Sequence, residues 1–258
     1  MISTSTKNIY SVVDIKMKVP FSYKQVLSCK ALKFIADLHL NFNNRRLELL
    51  SIRNEKHNHT ANEITFLSNM NGFKDRELKI LGVDENDLLN QSLITDDKLI
   101  VIDFGTSNTP SWSSLVETQI NLKEIIDINH NNTLTEGEQT VDVAVRQISI
   151  VICGRDLYAD EQNFYIDRAP IGAAFFDFGL YLFHNAKSIV ESGSTPFIFI
   201  PNIDNYYEAK LWNEFLNYVE QELELVSGTI KVIVSLNYTL PAFEKKHIHE
   251  ELSEPLVN

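Results

Sequence analysis

Cysteine is nearly absent from this 258-residue chain, which has only Cys29 and Cys153. Two isolated thiols build no disulfide framework, and no CxxC pair is present to hold a metal. Cys29 falls in a predicted helix and Cys153 in a predicted strand, so both read as buried, reduced thiols. Long apolar runs are missing too: none approaches the ~20 residues that span a bilayer. The leading segment MISTSTKNIYSVVDIK has no apolar core of a secretory signal, and the closing segment Glu254-Pro255-Leu256-Val257-Asn258 is not a peroxisomal address. Positive charge is in short supply, with 23 Lys and Arg against 35 Asp and Glu, a net charge of −12. That balance argues against nucleic-acid and anionic-membrane partners, although it leaves room for a local basic pocket. The expectation is a reducing, cytoplasmic setting.

What is present is an ordinary globular composition, 44% hydrophobic and 22% charged, long enough for a substantial core. Tyr23 to Arg53 reads as a helix, because Leu27, Ala31, Phe34, Ile35, Leu38 and Phe42 recur on one face, and Ser22 is a candidate cap. Asn54 to Phe73 is polar and reads as a connector. From Leu99 onward the pattern alternates. Short apolar runs at Leu99–Phe104, Ile148–Ile152, Phe197–Ile200 and Ile230–Val234 suit parallel strands buried on both faces. Helical stretches lie between and after them, at Ser111–Ile126, Ala173–Glu191, Tyr206–Leu225 and Ala242–Leu252. Gly193 and Gly228 are placed to end two of these. Four βα units imply a doubly wound sheet or part of a (β/α)₈ barrel, and periodicity alone does not choose.

One segment is more specific than any of this. Phe176-Asp177-Phe178-Gly179-Leu180-Tyr181-Leu182-Phe183-His184-Asn185-Ala186-Lys187 resembles a signature of the malate synthase family. A second stretch, Phe42-Asn43-Asn44-Arg45-Arg46-Leu47-Glu48-Leu49-Leu50, resembles that family's N-terminal helical clasp, with its FNxRRxELL pattern. The resemblance runs from about Leu27 to Leu252. It implies a helical clasp and connector over residues 1–75 and a partial TIM-type (β/α)₈ barrel over 76–258. It also implies the family's transferase chemistry of the glyoxylate cycle, acetyl-CoA condensing with glyoxylate with the help of Mg²⁺.

The resemblance also gives a register in which the strand ends can be checked, since barrel chemistry sits at the C-terminal ends of strands. Ile102-Asp103-Phe104-Gly105-Thr106-Ser107 is similar to the family's ADFEDS, with Gly105 and Thr106 where a Glu and an Asp would stand. Counting back from Phe176-Asp177-Phe178-Gly179 puts Ile152 at the family's catalytic Arg. Arg155 is a possible substitute, but only if a bulge turns it inward; otherwise it is a surface ion-pair residue. At the fourth strand, Asn237 or Tyr238 stands at the Mg²⁺-binding Glu, depending on the direction of counting. Neither is a carboxylate, and Mg²⁺ sites depend on anionic ligands. The family's second Mg²⁺ ligand and its Asp base have no matching position in this chain.

Two other clusters are candidates on residue type alone. Asp127 to Glu138 spaces oxygen donors like an EF-hand loop, with Asp127, Asn129, Asn131 and Glu138 at ligand positions. As a variable connector, it reads more readily as a solvated loop. His247 and His249, beside Lys245 and Lys246, sit two apart on a helix and so on different faces. His184, inside the aromatic helix, reads as a hydrogen-bonded packing residue.

The reading is a degenerate, non-catalytic family member acting as a binding or assembly partner, with no cofactor. Its partner would be a second copy or a complementary half-barrel chain, because inward side chains (Ile100, Ile150, Ile198, Val232 or their neighbours) would lack an opposite wall. Covering by the clasp helix is a further route. The alternatives are working malate synthase chemistry with Mg²⁺, acetyl-CoA and a separately encoded second half, and a Ca²⁺-responsive module.

Overall fold

The computed structural model describes residues 12–52, 76–83, 98–105, 110–131, 133–136, 139–142, 149–237 and 239–257. The central feature is a sheet of five parallel strands: β2 (Glu77–Gly82), β3 (Lys98–Asp103), β6 (Ser149–Cys153), β9 (Phe197–Ile203) and β10 (Lys231–Leu236). Their order across the sheet is β10-β9-β6-β3-β2, the order of the chain. Each new strand is added on the same side, as in a barrel. A doubly wound sheet would reverse direction partway. The fold is therefore a mixed α/β partial TIM barrel.

Parallel neighbours need crossovers, and helices supply them. These are α2 (Trp112–Asn131), α3 (Ala173–Glu191) and α4 (Tyr206–Glu222), while α5 (Ala242–Glu251) follows β10. All four match the helices expected from periodicity to within a few residues. Gly193 and Gly228 take left-handed φ of 77° and 72° just beyond α3 and α4, where a side chain would be strained. The N-terminal helix is shorter than expected. A 3₁₀ turn (Phe21–Gln25) precedes α1 (Cys29–Ile52), and Ser28 rather than Ser22 caps it, its Oγ accepting from the Ala31 N–H. The expected connector Asn54–Phe73 lies outside the described residues.

Two further pieces were not expected. Strand β2 was missed because its alternating Glu77-Leu78-Lys79-Ile80 pattern lacks the continuous apolar run of a strand buried on both faces. An antiparallel three-stranded sheet joins β1 (Val13–Ile15), β7 (Asp160–Ile166) and β8 (Ala169–Gly172) between β6 and α3. A separate hairpin, β4 (Thr133–Glu136) and β5 (Gln139–Asp142), follows α2.

Register sorts the barrel strands into two faces. Leu81, Ile102, Ile152, Ile198 and Val232 form one row across all five strands and belong to the core shared with the helices. The next row, Gly82, Asp103, Cys153, Phe199 and Ile233, lies on the opposite, inner face. Ile100, Ile150, Ile198 and Val232 thus point to the helices, and it is their neighbours that point inward. Those neighbours are not left in water. Leu99, Val101, Val151, Cys153, Phe199 and Ile233 pack as a second cluster, none more than 1% exposed, with Leu78, Ile80, Phe197 and Val257 against them. Val257 arrives because the closing segment pairs with β10, its N–H donating to the Val232 carbonyl while the Val232 N–H donates to Pro255. Helix α1 lies instead on the outer layer, against α3, α4 and β8, so it does not cover the inner face.

Candidate functional site

The C-terminal ends of the five strands define the candidate site. Ile152 is not part of it. Alternation turns Ile152 to the helices, fully buried between Ile102 and Ile198, and the inward residue at that strand end is Cys153. The count from the aromatic helix landed one residue from the inner face, and with period two a slip of one changes the face.

Arg155 sits two residues past the end of β6, and its guanidinium is held between two buried carboxylates. Nε and Nη2 donate to the two Asp177 carboxylate oxygens at 2.9 and 2.7 Å, Nη1 donates to Glu161 at 2.7 Å, and the backbone N–H also donates to Asp177. Burial alone would lower its pKa, but Asp177 and Glu161 outweigh that and hold it above the ordinary value. The expected ion pair is present, buried instead of on the surface. Its partners tie β7 and α3 to the end of β6 and set two carboxylates against the charge of the guanidinium.

At the first of the compared strand ends, the Asp103 carboxylate accepts from the Gly105 N–H at 2.8 Å, a short local turn. Asp103 is the inward carboxylate of this strand, 3% exposed. Thr106 lies outside the described residues. At the end of β10, Asn237 is held on both sides of its amide: Nδ2 donates to Asp204 at 2.6 Å, and Oδ1 accepts from the Thr239 N–H and hydroxyl. Tyr238 lies outside the described residues.

Sequence reasoning passed over the end of β9. There Asn202 adopts a left-handed φ of 54°, its N–H donating to Ser235 Oγ at 2.8 Å, and Asp204 follows to meet Asn237. Non-glycine residues in that region carry strain, and Asn is among the most tolerant. The signal was available: Asn202 and Asp204 follow directly on the apolar run Phe197–Ile200. Asn202, Asp204 and Asn237 make a neutral-to-acidic rim at the ends of β9 and β10, and Asp103 stands at the end of β3.

This rim does not fit Mg²⁺ as the sequence comparison places it. Of the two positions the register allows, Asn237 offers an amide already in hydrogen bonds and Tyr238 lies outside the described residues, and among the described residues no three His, Cys, Asp or Glu converge as a ligand set. The Ca²⁺ reading fares no better at its first positions. Helix α2 runs through Asn131, so Asp127, Asn129 and Asn131 are helical positions rather than a loop, and Asp127 pairs with Lys123 one turn back. Glu138 lies outside the described residues. His247 and His249 are both exposed on α5. His184 packs as expected, its Nε2 2.8 Å from the Val26 carbonyl. No helix among the described residues is long and apolar enough to cross a membrane.

Comparison with known proteins places these features. Residues 149–257 match the malate synthase TIM-barrel domain and residues 11–59 the malate synthase N-terminal domain. The chain is 30% identical over 254 residues to the bifunctional glyoxylate cycle protein of Caenorhabditis elegans, covering 91% of this chain and 26% of that protein. It is 29% identical over 248 residues to malate synthase of Myxococcus xanthus, covering 90% and 46%. It is 27% identical over 252 residues to malate synthase A of Escherichia coli, covering 91% and 47%. The chain thus spans about half the length of the malate synthases it matches, and about a quarter of the bifunctional protein.

Proposed function

This chain belongs to the malate synthase family, and on that premise we propose that it is a non-catalytic member acting as a binding or assembly partner. The observation that carries the proposal is the end of β10, where Asn237 stands in place of a carboxylate with both ends of its amide engaged. Condensing acetyl-CoA with glyoxylate needs a polarised carbonyl and a base that removes a methyl proton. Arg155 is poorly placed to supply the first, since Asp177 and Glu161 each bond its guanidinium and offset its charge. Cys153, inward and buried, brings no charge to the position beside it. The scaffold residues of the family remain, among them Arg46, Asp177 and the aromatic face of α3. Their contacts hold the clasp and the barrel layer together, so the fold can persist without the chemistry.

Metal titration tests the proposal. A ligand that binds only the native state raises its melting temperature, so millimolar Mg²⁺, with or without glyoxylate, is expected to leave it unchanged. A reproducible rise with Mg²⁺, absent in an Asp103→Asn variant, would place a working metal site at the strand ends and overturn the proposal.

A further inference from the structure

Between Asp14 and Asp37 the chain carries five lysines and no Asp or Glu, in a protein of net charge −12. Lys16 and Lys33 pair with the two flanking aspartates. Among the described residues, Lys18, Lys24 and Lys30 have no carboxylate partner; the Lys24 ammonium lies over the Phe21 ring, 5.1 Å from its centre. Lys30 stands in the first turn of α1, which contains no acidic residue. A helix start is the positive end of the macrodipole, so a cation there is unfavourable and an anion is favoured. Among the described residues, no carboxylate pairs with these three lysines, and the start of α1 favours a negative group.

Beside it is an apolar groove. A cavity of about 480 Å³ is walled by Val13, Ile15, Val19, Leu27 and Leu32, with Lys24 and the start of α1 at Ser28 and Cys29 also on its lining. Apolar walls with a few polar groups, in this range of volume, are the usual make-up of a small-molecule site. Phe21 next to it is 84% exposed and Met17 49%. The groove lies on β1 and the start of α1.

We propose that this groove binds a linear apolar chain ending in a carboxylate, the chain lying against Val13, Ile15, Val19, Leu27 and Leu32 and the carboxylate facing Lys24 and the start of α1. The walls select the chain, and the lysines and helix start independently select the sign of its head.

Calorimetric titration with decanoate below its micelle concentration tests this, with decanol as the neutral counterpart. The expected result is saturable binding of one decanoate per chain and at least tenfold weaker binding of decanol. Lys24→Glu, a surface change that leaves the melting temperature in place, is expected to weaken decanoate at least tenfold. Val19→Trp, which fills the groove, is expected to abolish it. Equal affinity for decanoate and decanol, or unchanged affinity in both variants, overturns the proposal. So does sedimentation with phosphatidylserine vesicles without saturable decanoate binding, which would make the patch a lipid-surface contact.

Discussion

His184 shows what the family-like aromatic helix does in this molecule. Its imidazole bridges α3 to the Val26 carbonyl in the turn before α1. Burial lowers its pKa, opposed by that bond and reinforced by Lys123, and burial also lowers that of His39. Both groups are therefore more basic in the unfolded chain, which takes up protons first as pH falls. Stability should be fully present above the unfolded value of about 6.5 and decline as pH drops below it. The expected outcome is a melting temperature that falls between about pH 7.5 and about pH 5.5, with a shallower fall in His184→Gln. An identical slope in the variant would show that His184 is not one of the groups responsible.

Arg155 belongs to the same scale. Removing one partner from a buried ion pair strands the others, at a cost of about 3–5 kcal/mol. Arg155→Leu leaves Asp177 and Glu161 facing each other without the guanidinium, so it should lower stability by about that much. Arg155→Lys should not restore it, because one ammonium cannot reproduce the fork of bonds to Asp177. A denaturant melt of both variants checks this. Unchanged midpoints would mean that Arg155 is not the structural post described above.

At the scale of elements, the clasp pattern acquires a mechanical meaning. Arg46, 1% exposed on α1, donates to the Leu157 and Ala159 carbonyls at 2.6 and 2.9 Å, to Asp160 at 2.8 Å and to Asn43 at 3.0 Å. One side chain thus pins the clasp to the loop between β6 and β7. Arg45 reaches the other way, to Glu214 on α4. Arg46→Ala is expected to cost about 3 kcal/mol or more, by stranding buried carbonyls as well as removing an ion pair, read as a shifted unfolding midpoint. Close approach is the second constraint. A Cβ at Gly154 would lie 2.5 Å from the buried Phe178 ring, so Gly154→Ala should cost about 1–3 kcal/mol by overpacking. A midpoint equal to the parent in either variant would contradict the assignment.

Elements were legible in the sequence wherever burial left a clean period. Helices α3, α4 and α5 and strands β3, β6, β9 and β10 each carry a one-sided or continuous apolar run. Strand β2 and the hairpin β7–β8 did not, because they lie at edges or in a surface sheet where charged residues interrupt the pattern. At the site, the loss of charge at Asn237 could be read from the family register, but the face of Ile152 could not. A gap-free count carries no information about which way a strand residue turns, and one residue of error exchanges Ile152 for Cys153. Asn202 and Asp204 take their meaning from Ser235 and Asn237 respectively, which are distant in sequence and adjacent only in the sheet.

At the scale of the whole molecule, two edges frame the five-stranded sheet. Among the described residues β2 pairs only with β3, and the outer side of β10 is met only by the short bridge between Val232 and Leu256. Sheet edges present unpaired backbone donors and acceptors that favour strand addition. The assembly role proposed for this chain therefore predicts association along one of these edges. Light scattering coupled to size exclusion at micromolar concentration should give a dimer. A Val234→Pro variant, which removes a backbone donor from β10, should shift it toward monomer. A monomer for the parent chain at that concentration would leave the edges without an interaction role.

The central claim is that the family scaffold persists here without the family's chemistry, and turnover tests it most directly. Purified chain, acetyl-CoA, glyoxylate and Mg²⁺ are mixed and free CoA thiol is followed with time. Losing groups that stabilise developing charge in the transition state commonly costs about 10²–10³ in rate each, so thiol release should match a heat-inactivated control. Glyoxylate-dependent release clearly above that control, from the purified chain alone, would contradict the account.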